Sequence, residues 1–246
     1  MKYMGSKARF TKEILSIVLK NRKTDQWYVE PFAGGMNVIC EVQGKRIAND
    51  IHFYLIAMWR ELVSGWIPKK ITKDTYCCVR NNRERFPPAF VGWVGFNCSY
   101  SGKWFGGFAG ETKTKIGTVR DYQTEAIKNV LKQVPKMQGV IFQNKPYYEL
   151  ELPPNSIVYC DPPYEGTSKY KVDDFDHDLF WDWVRDIHKQ GHTVFVSEYN
   201  APDDFVCVWQ KEAKSSLSAN GKIGGNKTSV EKLFVCNSET KEGVEE

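Results

Sequence analysis

The sequence predicts an open α/β sheet, and three short stretches carry that expectation. Ile157 to Cys160 is a charge-free run of β-branched and aromatic residues, the pattern of a strand buried on both faces. Trp27 to Glu30 reads as a second short strand that runs straight into Pro31-Phe32-Ala33-Gly34-Gly35. Arg46 to Asp50 reads as a third, and it ends in an acid. Amphipathic helical segments alternate with these strands, as βαβ units require.

In chain order, Phe10, Ile14, Ile17 and Val18 recur at helical spacing after Ser6, so a helix is expected over about residues 7–20 with Ser6 as its N-cap. After the glycine pair a helix is expected from Asn37, and Phe53 to Leu62 reads as another. At about Ser64 the composition changes: the chain to Arg120 is rich in Lys, Arg, Gly and aromatics. Phe90 to Gly110 interleaves rings with glycine and small polar residues, which reads as strands and loops and not as a continuous helix. Asp121 to Gln133 is an amphipathic helix with Ile127, Val130 and Leu131 on one face, and Val140 to Phe142 is a strand. Beyond the central strand, Glu165 to Tyr170 reads as a polar loop over the site. Leu179, Phe180, Trp183, Val184 and Ile187 mark a helix. Thr193 to Val196 is a strand ending at Ser197-Glu198-Tyr199-Asn200, and 206–209 with 230–236 alternate like an antiparallel hairpin. Ser215 to Thr228 reads as a mobile connection, and the tail beyond Asn237 as frayed.

Composition narrows the class. The chain is 41% hydrophobic and 14% aromatic, which is globular composition. No apolar run reaches membrane-spanning length, and the six residues Ile14 to Leu19 lack a cleavage site, so neither a membrane span nor a signal peptide is expected. Seven scattered cysteines read as reduced thiols of a cytoplasmic protein, and four histidines without metal spacing give no metal site. Residues 64–120 carry ten Lys/Arg against three Asp/Glu, whereas 121–246 carry fourteen against twenty-one. That asymmetry fits either a solvated basic surface or a footprint for a polyanion. In the second case Asn97, Ser99, Tyr100, Ser101 and Lys103, expected at the surface, suit groove contacts, with Lys113 and Lys115 beside them.

The central strand stops at Asp161-Pro162-Pro163-Tyr164. Neither proline can donate to a sheet ladder, and the first disfavours helix at Asp161. An acid, two stiff residues and a ring are thereby held at the carboxyl end of a strand, where open α/β sheets place ligands. The Asp161 carboxylate and the Pro162 carbonyl can accept two hydrogen bonds from the exocyclic amine of a flat heterocycle. Drawing that amine toward tetrahedral geometry frees its lone pair, while Tyr164 offers a stacking face to a base that has left its duplex. Stacking needs the ring and not the hydroxyl, so Tyr164→Phe is expected to keep most activity. The Gly34-Gly35 pair allows close backbone approach, and Asp50 at the second strand's end is placed for ribose hydroxyls. No G-x-G-x-x-G occurs, so this is not the dinucleotide fingerprint.

In family order, Tyr3-Met4-Gly5-Ser6-Lys7, Val29 to Gly35, Asn49-Asp50, Asp161 to Tyr164 and Ser197 to Asn200 resemble the motifs of the Dam-type, D12-class (alpha-group) DNA adenine-N6 methyltransferase family. The resemblance implies a Rossmann-like methyltransferase sheet over 1–63 and 121–246, with a target-recognition insertion at 64–120. It implies S-adenosyl-L-methionine as donor and adenine in double-stranded DNA as acceptor, in a bacterial or phage-infected cell, by a monomer or weak dimer. Tyr3, Gly5, Lys7, Glu30, Pro31, Phe32, Ala33, Gly34, Gly35, Asp50, Ile51 and Asp161 would contact the donor, and Asp161 to Tyr164 the adenine. The family usually has Trp at Tyr3, Gly at Ser6 and a third Gly at Met36, and the short recognition segment leaves the target sequence open. Cytosine or RNA methylation on the same fold, and an idle DNA-binding homologue, are the alternatives; Asp at 161 favours adenine.

Overall fold

The structure, a computed structural model, describes residues 1–113, 117–165, 175–214 and 228–237, except the side chains of 213, 214 and 228. Lys115, most of the expected 165–170 loop, the connection 215–227 and the tail beyond 237 lie outside the described residues. In chain order the elements are α1 (Thr11–Val18), β1 (Tyr28–Glu30), β2 (Arg46–Asn49), α2 (Phe53–Val63), α3 (Lys73–Asn81), α4 (Pro88–Gly92), β3 (Glu111–Lys113), β4 (Val119–Asp121), α5 (Tyr122–Gln133), β5 (Val140–Gln143), β6 (Ile157–Cys160), α6 (His177–Lys189), β7 (Thr193–Glu198), β8 (Phe205–Lys214) and β9 (Thr228–Cys236). All but β3 and β4 of these strands belong to one mixed, mostly parallel sheet, so the α/β expectation holds. Among the described residues no helix is long and apolar enough to cross a membrane. Nor, among those same residues, does any group of three or more His, Cys, Asp or Glu stand ready to hold a metal ion.

The chain divides into two compact units, 1–15 with 30–151, and 16–29 with 152–246. In the first, β2 and β5 run parallel, with Ile47 opposite Ile141 and Asn49 opposite Gln143. Leu55, Ile56, Met58, Trp59 and Leu62 make the buried face of α2. Arg46, only 4% exposed, donates to the carbonyls of Lys136 (2.8 Å) and Gln138 (2.7 Å) just past α5, where a cation is favoured.

Residues 90–97 correct the sequence reading. They are helical: α4 runs into a π-helical turn over Trp93–Asn97. Their glycines act as points of close approach and not as turns. A Cβ on Gly92 would stand 2.1 Å from the Tyr54 carbonyl oxygen, and one on Gly95 2.2 Å from the Trp104 ring. Glycine in a helix costs about 1 kcal/mol relative to alanine, and here it permits the backbone of α2 and the Trp104 ring to come that close.

In the second unit Tyr28 and Val29 of β1 pair in parallel with β6, and β6 pairs in parallel with β7. The sheet then turns antiparallel through β9 to β8, as the hairpin pattern predicts, with a bulge between Cys207 and Trp209. All four residues of β6 are buried, and each large apolar side chain so removed from water contributes about 1.5–3 kcal/mol. Asp176 caps α6 by accepting from the Leu179 N–H at 2.9 Å. Phe180, Trp181, Val184 and Ile187 form the helix's buried face.

Three further local expectations shift. Helix α1 starts at Thr11, because Ser6 closes only a turn, accepting from the Ala8 N–H at 3.2 Å. From Asn37 the chain makes a single 3-10 turn, Ile39–Glu41, instead of a longer helix. The buried face of α5 is Gln123, Ala126, Val130 and Gln133, leaving Leu131 39% exposed.

His52 caps α2, its Nδ1 accepting from the Leu55 N–H at 3.4 Å, and its ring lies edge-on to Trp104 at 4.3 Å and Phe96 at 4.8 Å. Burial pulls the imidazole down from its ordinary 6.5 to about 4. The unfolded chain then binds a proton that the native state refuses, so stability is lost as pH falls from about 6.5 toward 4. Asn caps as well and does not titrate. Thermal melts of His52→Asn are expected to show a smaller drop in Tm between about pH 7 and pH 5 than wild type; equal drops would remove His52 from the acid response.

Candidate active site

In the first unit the candidate residues gather around the Pro31–Met36 loop. A Cβ on Gly34 would meet the Tyr3 ring at 2.8 Å, and one on Gly35 would meet Tyr3 Cβ at 2.6 Å. Tyr3 therefore lies on the glycine pair, and only residues without side chains allow it. Gly34 also takes φ +48, which glycine adopts freely. Met36, where the family usually has glycine, holds φ +57 with its side chain fully buried. Apolar burial offsets the backbone strain there.

Asp50 secures the same loop. Its Oδ2 accepts from the Gly34 N–H at 2.9 Å and its Oδ1 from the His52 N–H at 2.8 Å. Burial pushes its carboxyl above the usual range, and those two donors oppose the shift. Asn49, fully buried, donates to the Pro31 and Lys145 carbonyls, each at 2.9 Å, and accepts from the Lys145 N–H. Gln133 of α5 donates to the carbonyls of Gly35 (3.1 Å) and Met36 (2.7 Å). Ile51, 62% exposed, offers an apolar surface beside Asp50. Phe32 packs on Tyr147 at 5.2 Å. Lys7 and Glu30 are buried, whereas Gly5 is exposed with φ +77 and open space where a side chain would go.

In the second unit the chain leaves the fully buried Cys160 at Asp161, which is half-buried, as are Pro163 and Tyr164; Pro162 is buried. The Tyr164 hydroxyl donates to Glu231 Oε2 at 2.9 Å, and its ring meets Tyr199 at right angles, centroids 4.6 Å apart. Burial first, then the Asp161 and Glu231 carboxylates, hold the phenol well above its ordinary value, so it stays protonated. Glu198, 3% exposed, accepts from the Tyr199 N–H at 2.6 Å and from the Glu165 N–H at 3.2 Å.

The expected groove residues separate. Tyr100 is 59% exposed, and Ser101, Lys103 and Lys113 are also exposed. Asn97 and Ser99, expected at the surface, are buried: Asn97 Nδ2 points at the Met58 sulfur, 3.3 Å away, and Ser99 Oγ bonds Tyr76 Oη at 3.1 Å. Tyr100, Ser101 and Lys103 ride on a loop pinned by the same Tyr76 hydroxyl, which accepts from the Gly107 N–H at 3.1 Å, whereas Lys113 ends β3. Ser101 (φ +59) and Phe105 (φ +42) are strained there, and a bulky residue such as Phe105 rarely keeps that backbone without strong local constraint.

Sequence reasoning named Asn49, Glu198 and Tyr199 only as motif members, without their hydrogen-bonding roles, and missed Gln133 in the first unit and Glu231 in the second. The one available signal was their polarity at positions where the period of a strand or helix called for apolar side chains.

No curated protein matches the chain. Among solved structures, the crystal structure of SMU.472 complexed with SAH is similar at 10% identity and a TM-score of 0.37, over 99% of this chain and 55% of that one. The chain thus spans about half the length of that structure. Residues 3–87, which hold Tyr3, the glycine pair and Asp50 but not Asp161, match the model of the D12 class N6 adenine-specific DNA methyltransferase family, about a third of the chain.

Proposed function

We propose that the protein methylates the N6 amino group of an adenine flipped out of duplex DNA. The observation that carries the reading is Asp161-Pro162-Pro163-Tyr164, presented where the buried strand β6 ends. Residues 64–120 serve as the target-recognition segment and the remainder as the catalytic framework.

The first unit suits the donor. The glycine cradle under Tyr3 leaves backbone at the loop surface, Asp50 keeps an acceptor for hydroxyls, and Ile51 supplies an apolar face for a base. Tyr3, Gly5, Lys7, Glu30 to Gly35, Asp50, Ile51 and Asp161 are the residues assigned to holding it. Bound there, S-adenosylmethionine would supply an electrophilic methyl group on sulfur.

The chain's own part is alignment. Asp161 and the Pro162 carbonyl accept the two amino protons of the adenine, which directs the nitrogen lone pair out of the ring plane. On accepting the methyl group the amine would give up one proton, for which the Asp161 carboxylate is the adjacent acceptor. Tyr164 stacks on the base. Positioning of this kind supplies most of the catalysis when a good electrophile meets a weak nucleophile. Tyr100, Ser101, Lys103, Lys113 and Lys115 are assigned to DNA; Asn97, being buried, is not among them.

Removing the Asp50 carboxylate is expected to weaken donor binding by about 1–3 kcal/mol, the range for charge-assisted hydrogen bonds. Calorimetry on a folded Asp50→Ala protein checks this, and unchanged affinity would take Asp50 out of the donor site. Neutralising Lys103 and Lys113 is expected to lower DNA affinity and to flatten the log–log salt slope by about one for each phosphate no longer neutralised. A slope equal to wild type would move the footprint elsewhere, with the basic N-terminal segment the next place to probe.

The central test is radiolabelled methyl transfer to duplex DNA under single-turnover conditions at saturating donor, followed by a nucleoside digest. N6-methyladenine is the expected product. Asp161→Ala is expected to abolish transfer and Asp161→Asn, which keeps an acceptor oxygen without charge, to leave a small residue of activity. Full activity in Asp161→Ala would overturn the mechanism, and a methylated cytosine in the digest would overturn the acceptor.

A further inference from the structure

We infer that Glu231 is a positioning residue that, together with Tyr199, sets the orientation in which Tyr164 receives the target base. The inference rests on the function proposed above and assigns the Tyr164 hydroxyl a role that stacking alone does not give it.

The ring is constrained at three levels, all within the second unit. Its backbone is secured because the next residue, Glu165, donates its N–H to Glu198 at 3.2 Å. Glu198 itself is tied to the Tyr199 N–H at 2.6 Å, at the carboxyl end of β7. The body of the ring meets Tyr199 at 82° with centroids 4.6 Å apart. Its tip donates to Glu231 Oε2 at 2.9 Å. A tyrosine side chain has two torsions. An edge contact on the ring and a directional bond at the hydroxyl together fix both, and a hydrogen bond to a carboxylate is about twice as strong as a neutral one.

The consequence concerns stacking. An aromatic ring has two faces, and Tyr199 takes at most one. A base can stack only on a ring whose plane is already set, or else it must order the ring as it binds and lose affinity or rate in doing so. Glu231 stands on β9, whose register against β7 and β8 is fixed by the ladder on both sides. It therefore refers the Tyr164 plane to the rigid sheet and not to the loop that follows the motif. The carboxylate does not touch the reacting atoms in this scheme; it acts through the phenol.

A double-variant cycle tests the inference. Single-turnover transfer rates, donor affinity and DNA affinity are measured for wild type, Glu231→Ala, Glu231→Gln, Tyr164→Phe and the Tyr164→Phe/Glu231→Ala pair. Tyr164→Phe removes one oxygen and no packing, so it reports even if Glu231→Ala folds poorly. The expected result is a fall in rate of about 10- to 100-fold in Tyr164→Phe and in Glu231→Ala, at unchanged donor and DNA affinity. The pair should be no slower than either single change. Gln at 231, whose amide oxygen still accepts the phenol's proton, should recover at least about threefold over Ala. Wild-type rates in Tyr164→Phe, multiplying losses in the pair, or Gln no better than Ala would each overturn the inference while leaving the methyl-transfer reading intact. Absence of transfer by the wild type would overturn that reading and this one with it.

Discussion

The first unit depends on one constraint: every polar group of the Pro31–Met36 loop must find a partner without a side chain standing on the loop itself. Buried backbone N–H and C=O groups left unpaired cost about as much as a lost hydrogen bond each, and this loop has no helix or ladder of its own to satisfy them. The Met36 N–H turns back to the Ala33 carbonyl at 2.8 Å, and further partners come from outside the loop. Asn49 at the end of β2 takes the Pro31 carbonyl, Asp50 takes the Gly34 N–H, and Gln133 at the end of α5 takes the carbonyls of Gly35 and Met36. The glycine pair is then free to lie against Tyr3, and the order of strand, loop, strand and helix follows from which side chains must reach it.

The second unit solves the complementary problem with acids. The chain after β6 cannot pair as a strand, since Pro162 and Pro163 have no N–H. It is held instead by carboxylates from β7 and, one strand further, from β9: Glu198 takes the Glu165 N–H and Glu231 the Tyr164 hydroxyl. Burying a charge is costly unless it is hydrogen-bonded, and Glu198 meets that condition with two backbone N–H groups at 2.6 and 3.2 Å. The apolar β6 thus supplies stability, and the acids beside it supply direction.

How far this was legible in the sequence follows from the kind of signal involved. The strands at 28–30, 46–49, 140–143, 157–160 and 193–198, the helices at 53–63 and 177–189, and the 205–236 hairpin announce themselves by apolar periodicity. The helix through Val91 and Phe96 did not, because its glycines carry the same letters as turns while serving helix packing. Asn97 and Ser99 looked like surface polar residues, yet they are buried among Met58, Tyr76 and their neighbours. The acids and amides that clamp the site were readable as motif members at Asn49 and Asp50. Glu198 was readable in the same way, within Ser197 to Asn200, but Gln133 and Glu231 were not, since a long-range hydrogen bond leaves no local pattern.

The arithmetic of lone pairs at Asp50 joins these threads. An ionised carboxylate offers about four acceptor positions. Two are taken inside the protein, Oδ1 by the His52 N–H and Oδ2 by the Gly34 N–H, so about two remain for a ligand. A ribose presents two adjacent hydroxyls, which matches that remainder. Asparagine at the same place would present one acceptor oxygen and a donor NH₂. It would then have to turn an N–H toward the Gly34 or the His52 N–H, a donor facing a donor. The acid at the end of β2 is therefore required twice over, once to hold the glycine loop and once to face what the loop is proposed to hold.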